Sequence, residues 1–132
     1  MTTEIYWLIV TTLMTALFWL PYILNRIAVR GLLRAMGNPL PTDKPHSPWA
    51  ERALAAHINA VENLVIFAAL ILAGHAVGVS NAVTEGAAVI YFFARLAHFV
   101  VYVFGIPGAR TLTFAVSWMC QIAIGLSILG LL

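Results

Sequence analysis

The sequence predicts an all-α protein, an integral membrane bundle of four helices, and three observations carry that prediction. Of the 132 residues, 62% are hydrophobic and only 9% are charged, with a mean hydropathy of +0.95. A soluble domain of this size has no interior large enough to hide that much apolar surface, so lipid must cover it. The apolar residues also fall into four long runs, and one helical crossing of the hydrocarbon core takes about 20 residues. Finally, 132 residues divide into four such spans with little left over, which leaves no length for a separate soluble domain. Residues 1–132 are expected to form one membrane domain.

Span one is expected over about residues 4–24, EIYWLIVTTLMTALFWLPYIL, with Trp7 and the Trp19–Tyr22 cluster as interfacial aromatics near its ends. Pro21 is expected to kink it near its exit. With no basic stretch before it and no small-residue cleavage site, it reads as a retained span rather than a signal peptide. The connector 25–47 begins with Arg26, Arg30 and Arg34 at helical spacing, which puts all three on one face, and ends in the irregular, proline-rich NPLPTDKPHSP. Span two is expected over 48–76, with Ser47 as N-cap and Pro48 at the first helical position. The short turn GVSNAVT makes spans two and three adjacent and antiparallel. Span three covers about 85–104, GIPGAR makes a tight connection, and span four covers about 111–131.

Charge predicts the orientation. Arg26, Arg30, Arg34, Lys44, Arg52 and Arg110 lie on or near one side, whereas the other side has Glu4, Glu85 and His75 and no lysine or arginine. The positive-inside rule then puts the connectors in the cytoplasm and both termini outside, as in a bacterial inner-membrane protein.

Several function classes are disfavoured. The net charge of +2 comes without basic–aromatic clusters, so nucleic-acid binding has no support. A single cysteine permits neither an intrachain disulfide nor a cysteine-based metal site, and Cys120, deep in the last apolar run, is expected to be a buried packing residue. The histidines are scattered, with no HExxH, and no metal is expected. GxSxG, P-loop and dinucleotide-binding motifs are absent.

The segment ERALAAHINAVENLVIF, Glu51 to Phe67, carries Arg52, His57, Asn59, Glu62 and Asn63 inside an apolar run. A charged side chain at membrane depth costs about 2.5–3.5 kcal/mol on insertion scales and therefore marks a protein interior or a wet cavity. At 3.6 residues per turn, Arg52, Asn59 and Asn63 share a stripe with Glu62 at its edge, while His57 points away. Tyr91, Arg95, His98 and Tyr102 form one face of span three; Arg110, Phe114, Ser117 and Gln121 form one face of span four. The three faces lie at similar depth.

Each of these residues also has a plain structural reading. Glu62 could neutralise Arg95, with Asn59 bonding across helices. His57 could simply pack, His46 and His75 could be solvated, and Ser117 and Gln121 could join helices. As an ensemble the face holds more arginines (52, 95, 110 and, from the connector, 30) than carboxylates (Glu51, Glu62). A positive excess in a low-dielectric pocket calls for an anion, here a small molecule arriving from the cytoplasm. An apolar partner could enter from the lipid.

ERALAAHINAVENLVIF resembles the signature of the MAPEG family, the membrane-associated proteins in eicosanoid and glutathione metabolism, close to ERxxxAHxNxxEN followed by apolar residues. ARLAHFVVYVFGIPGARTLTF resembles that family's third helix, short loop and fourth-helix start. Together the two motifs cover about half the chain. The resemblance implies a homotrimer with active sites between neighbouring subunits and glutathione as the anionic ligand and co-substrate. By position, Asn59 and Glu62 match residues that hold its peptide part, and His98 and Tyr102 match third-helix contacts. Arg110 matches the arginine that stabilises the thiolate and is the catalytic candidate. Thr111 follows it where a hydroxyl is common, and Arg30 matches a first-helix arginine. With Arg52 and Arg95 from the polar faces, these make up the expected binding set.

Ala55 and Ile58 stand where glutathione-using members of the family carry arginines, and Phe114 where some carry tyrosine. Each charge-assisted bond so removed is worth about 1.5–3 kcal/mol of carboxylate capture.

The leading expectation is a glutathione-dependent membrane transferase or peroxidase acting on apolar electrophiles or lipid hydroperoxides. The alternative is a non-catalytic membrane module that binds a lipid or an anionic small molecule. A proton-coupled exporter using Glu62 ranks third. Because Arg52, Asn59 and His57 diverge around span two, a neighbouring subunit is expected to cover one direction, with His57 near the contact.

Overall fold

The computed structural model describes residues 1–132 and contains six helices: α1 (Thr3–Leu17), α2 (Leu20–Arg30), α3 (Leu32–Met36), α4 (Pro48–Ala76), α5 (Ala82–Phe104) and α6 (Pro107–Ile128). α1 and α2 run on as one broken span, Thr3–Arg30, and with α4, α5 and α6 they make four segments long and apolar enough to cross a membrane. The protein is an all-α, multi-pass, integral membrane four-helix bundle.

The break in the first span falls at Phe18 and Trp19, earlier than a kink at the exit. Pro21 explains the position: it has no N–H for the Leu17 carbonyl, and its ring clashes with that carbonyl one turn back. Helical bonding resumes with Ile23 N–H donating to Trp19 O, 3.1 Å. The hydroxyls of Thr11, Thr12 and Thr15 each donate to the carbonyl four residues back, at 2.6–2.8 Å, so these three threonines are satisfied inside their own helix.

The connector departs from the expected single arginine face. Gly31, at φ +82°, ends α2, and Arg34 lies on the separate α3. Arg30 and Arg34 instead converge on Asp43, at 3.9 and 2.7 Å. The Leu40 amide and these two guanidiniums hold the Asp43 carboxyl below its ordinary range, against partial desolvation. Asn25 clamps the far end of the connector: its Nδ2 donates to Ser47 Oγ (2.9 Å) and its Oδ1 accepts from Ser47 N–H (3.0 Å). That hydroxyl is therefore engaged with Asn25, and α4 begins at Pro48 with no side-chain cap. His46 is buried rather than solvated, with Arg26 Nε donating to its Nε2 at 3.0 Å and Glu51 3.5 Å from its Nδ1. Burial pushes its pKa below the usual imidazole value, Glu51 opposes this, and Arg26 and Arg30 add to it.

α4 turns Ala50, Ala53, Ala56, Ala60, Asn63, Phe67, Ile71 and Gly74 inward. The alanines and glycine let neighbouring backbones approach, the usual means of packing helices in lipid. Phe67 stacks on Tyr91 at 3.9 Å between centroids, in a core with Leu8, Ile71, Ala88, Cys120 and Ile124. His57 finds its partner within the chain: its Nδ1 and the Tyr22 hydroxyl are 2.9 Å apart, and Phe18 covers it edge-on. Hence α1–α2 covers one side of α4 and α5–α6 the other, and the divergence of His57 from Asn59 does not itself require a second subunit. α5 starts at Ala82 on an Asn81 capping box and ends at Gly105, φ +72°. α6 starts at Pro107 and ends at Ile128.

Candidate functional site

Where α4, α5 and α6 meet near the connector end, a cavity of about 290 Å³ is lined by Asn59, His98, Tyr102, Arg110, Thr111 and Phe114. The spacing of these residues follows from their helices. His98 and Tyr102 are one turn apart on α5, and Arg110 and Phe114 one turn apart on α6. The tight turn at Gly105 brings the start of α6 back beside the end of α5. The Arg110 guanidinium lies over the Tyr102 ring, 4.6 Å from its centroid, close enough for a cation–π contact.

Hydrogen bonding dictates what several of these groups present. His98 Nδ1 lies 3.1 Å from both the Arg110 carbonyl and Thr113 Oγ1. A carbonyl only accepts, so Nδ1 carries the proton, and Nε2, which has no partner in the protein, is an acceptor. Asn59 Oδ1 accepts from Arg95 Nη2 at 2.6 Å and lies 3.4 Å from Asn63 Nδ2. Its carbonyl is thus occupied, and its amide N–H groups remain for the cavity.

Arg95 is 2% exposed. Its remaining partner is Ser117 Oγ at 3.4 Å, its Nε has none, and no carboxylate lies within ion-pair distance. Gln121 continues the network by donating to the Asn63 carbonyl at 3.0 Å, so Ser117 and Gln121 do join helices.

The structure brings Asn59, His98, Tyr102, Arg110 and Thr111 to one cavity and sets Arg95 behind it, in contact through Asn59. Three expected residues lie elsewhere in the chain. Arg52 donates from Nε to the Val103 carbonyl at 2.8 Å beside Gly105, and so caps the C-terminus of α5. Arg30 donates to the Lys44 carbonyl at 2.6 Å and belongs to the connector. Glu62 is exposed on α4 and does not neutralise Arg95. Thr113, which holds His98, was not singled out from sequence; a threonine one turn before Ser117 on an apolar helix gives little signal. A second polar cluster, around Glu4 at the opposite end, was also missed, although a carboxylate inside an apolar run was the available clue.

No carboxylate lines the cavity, Arg110 is its one lining cation, and Arg95 adds a second positive charge behind Asn59. In a low-dielectric setting that arrangement favours an anion. No metal-binding group of histidine, cysteine or carboxylate residues is present. Among known families, the model described as the MAPEG family matches residues 5–130. No curated protein matches the chain.

Proposed function

Because the chain belongs to the MAPEG family, we propose that it is a glutathione-dependent membrane transferase or peroxidase whose substrates are apolar electrophiles or lipid hydroperoxides. One observation supports this most: a cavity that holds Arg110, Asn59, His98, Tyr102 and Thr111 and no carboxylate. In this reading the Arg110 guanidinium favours the thiolate over the thiol, as a neighbouring cation does for a protein cysteine. Asn59 offers N–H donors to an oxygen of the peptide, His98 fixes the start of α6 through the Arg110 carbonyl, and Thr111 and Tyr102 border the site. Arg95 is a positioning residue that orients Asn59. The thiolate then attacks the electrophile, which expels its leaving group. With a hydroperoxide, one thiolate cleaves the O–O bond and a second thiol completes the disulfide, leaving alcohol and water. Holding the two reactants together replaces a rare bimolecular encounter.

The assembly we propose is a homotrimer with sites at subunit contacts. Glu62 is exposed on α4 together with Ile58, Val61, Val65 and Ile66. A carboxylate within a spanning helix does not face hydrocarbon without cover, so this face calls for a neighbour. Arg30, Arg52 and Glu62 enter the ligand site only through that assembly. The basic connector lies at the cavity's end of the bundle, so the site is proposed to open to the cytoplasm across an inner membrane, with both termini outside.

Purified protein is expected to turn over a reactive aryl halide or cumene hydroperoxide with glutathione, and native mass spectrometry is expected to report three subunits. No turnover would remove the enzymatic reading, and a stable monomer that still binds ligand would remove the trimer. The second reading, a non-catalytic binder of a lipid or anionic small molecule, draws on the single arginine lining the cavity and on Ala55, Ile58 and Phe114. Millimolar glutathione raises the melting temperature if the ligand binds; a flat response favours the second reading.

A further inference from the structure

At the end of the bundle remote from the connector, a separate cavity of about 210 Å³ lies between the start of α1, the end of α4, the start of α5 and the end of α6. Glu4 lines it and is only 5% exposed. Thr84 Oγ1 donates to its Oε1 at 2.5 Å and Ser80 Oγ to its Oε2 at 3.2 Å. The Thr2 side chain and the Glu4 backbone N–H also lie against the carboxylate, and all of these donors are neutral, so they satisfy its oxygens without neutralising its charge. The positive N-terminal poles of α1 and α5, where Glu4 and Thr84 sit in the first turns, favour the ionised form.

No cation of the chain, the N-terminal amine included, lies within ion-pair distance of that charge. Glu4 is in none of the ion pairs, and His75 at the cavity rim is exposed. All seven lysines and arginines lie elsewhere; the one on α5, Arg95, is about three turns along from Thr84. The opposite wall is apolar, formed by Leu70, Ile124 and Ile128 among others.

We propose that this cavity binds a protonated primary amine carried on an apolar body, with the ammonium on Glu4 and the chain against Leu70, Ile124 and Ile128. The ammonium supplies the countercharge that the neutral donors around Glu4 lack, and charge-assisted bonds are the strong ones. Such an amine is supplied either by an ethanolamine phospholipid headgroup or by a free lipophilic amine.

The test uses the full chain in phosphatidylcholine nanodiscs, titrated with hexylammonium and followed by thermal unfolding. The expected result is a rise of about 3–5 °C at saturation, with none from hexanol or hexanoate, and loss of the response in Glu4→Gln. Ile128→Trp, which fills the cavity from its apolar wall and leaves the carboxylate in place, must abolish the response as well and serves if Glu4→Gln folds poorly. A rise in nanodiscs containing phosphatidylethanolamine, with a blunted hexylammonium response there, assigns the site to the headgroup; an unaltered response there assigns it to a free amine. Equal stabilisation by hexanol, or a response that survives both substitutions, overturns the proposal.

Discussion

The two ends of the bundle carry cavities of opposite sign. Near the connector, Arg110 lines the wall and no carboxylate does; at the far end Glu4 lines it and no lysine or arginine does. The charges are also held differently. Arg110 rests on an aromatic face and its carbonyl fixes His98, whereas Glu4 is gripped by two hydroxyls between helices. Neutral hydrogen bonds can thus lodge a charge inside a membrane bundle without cancelling it, and the uncancelled sign then determines which ligands a cavity favours. Between the ends, the Phe67–Tyr91 stack and its alanine and isoleucine neighbours form an apolar plug. That plug separates the two cavities along the bundle, so substitutions that alter the lining of one should leave the lining of the other unchanged.

The largest effect should come from the connector end itself. Arg110→Ala is expected to lower glutathione-dependent turnover by about 10²-fold or more, the scale seen when one donor to a developing anion is removed. Arg110→Lys keeps the charge but not the fork and should fall between. Steady-state kinetics checks this, and unchanged turnover in Arg110→Ala would break the assignment of that cavity to thiolate chemistry. Neither variant should alter the hexylammonium response at the Glu4 end.

A smaller and more revealing effect is expected from Arg95→Met. A buried guanidinium with no carboxylate partner has a desolvation cost that its hydrogen bonds do not offset, and apolar replacement of buried charges is often neutral or stabilising. The melting temperature without ligand should therefore hold or rise, while KM for glutathione rises about tenfold, the loss of one hydrogen bond to the ligand. Little change in kcat separates positioning of Asn59 from a direct role. A large fall in stability would mean that Arg95 serves the fold rather than the site.

The smallest effect concerns pH. His46 has its pKa depressed by burial, so between its unfolded value near 6.5 and its lower folded value the unfolded chain binds more protons. Its contribution to stability is full above that range and declines as pH falls through it. His46→Asn should flatten the stability profile below pH about 6.5, measured by thermal unfolding in buffered steps. Asp43, whose pKa is also depressed, loses its contribution only as pH falls below its ordinary carboxylate range.

The four spans, the polar faces of α4, α5 and α6, and the burial of Cys120 were legible in the sequence. Lipid imposes continuous apolar runs, and 3.6-residue spacing assigns a side chain to a face wherever the helix stays regular. Local backbone chemistry also accounts for the two breaks, once the Pro21 ring and the positive φ of Gly31 are seen. Which charges meet depends on how the folded helices are set against one another. Arg52, Asn59 and Asn63 share a stripe, yet Arg52 lies a full two turns nearer the connector and meets the end of α5, while Asn59 meets Arg95. Glu62 is one position from that stripe, and on a helix one position is a rotation of about 100°, enough to carry it from the interior to the exposed face. Glu4 and Thr84 stand eighty residues apart. A face can be computed from spacing, but its partner depends on how helices rotate and slide against one another, which the packing of alanines on α4 sets and no local pattern records.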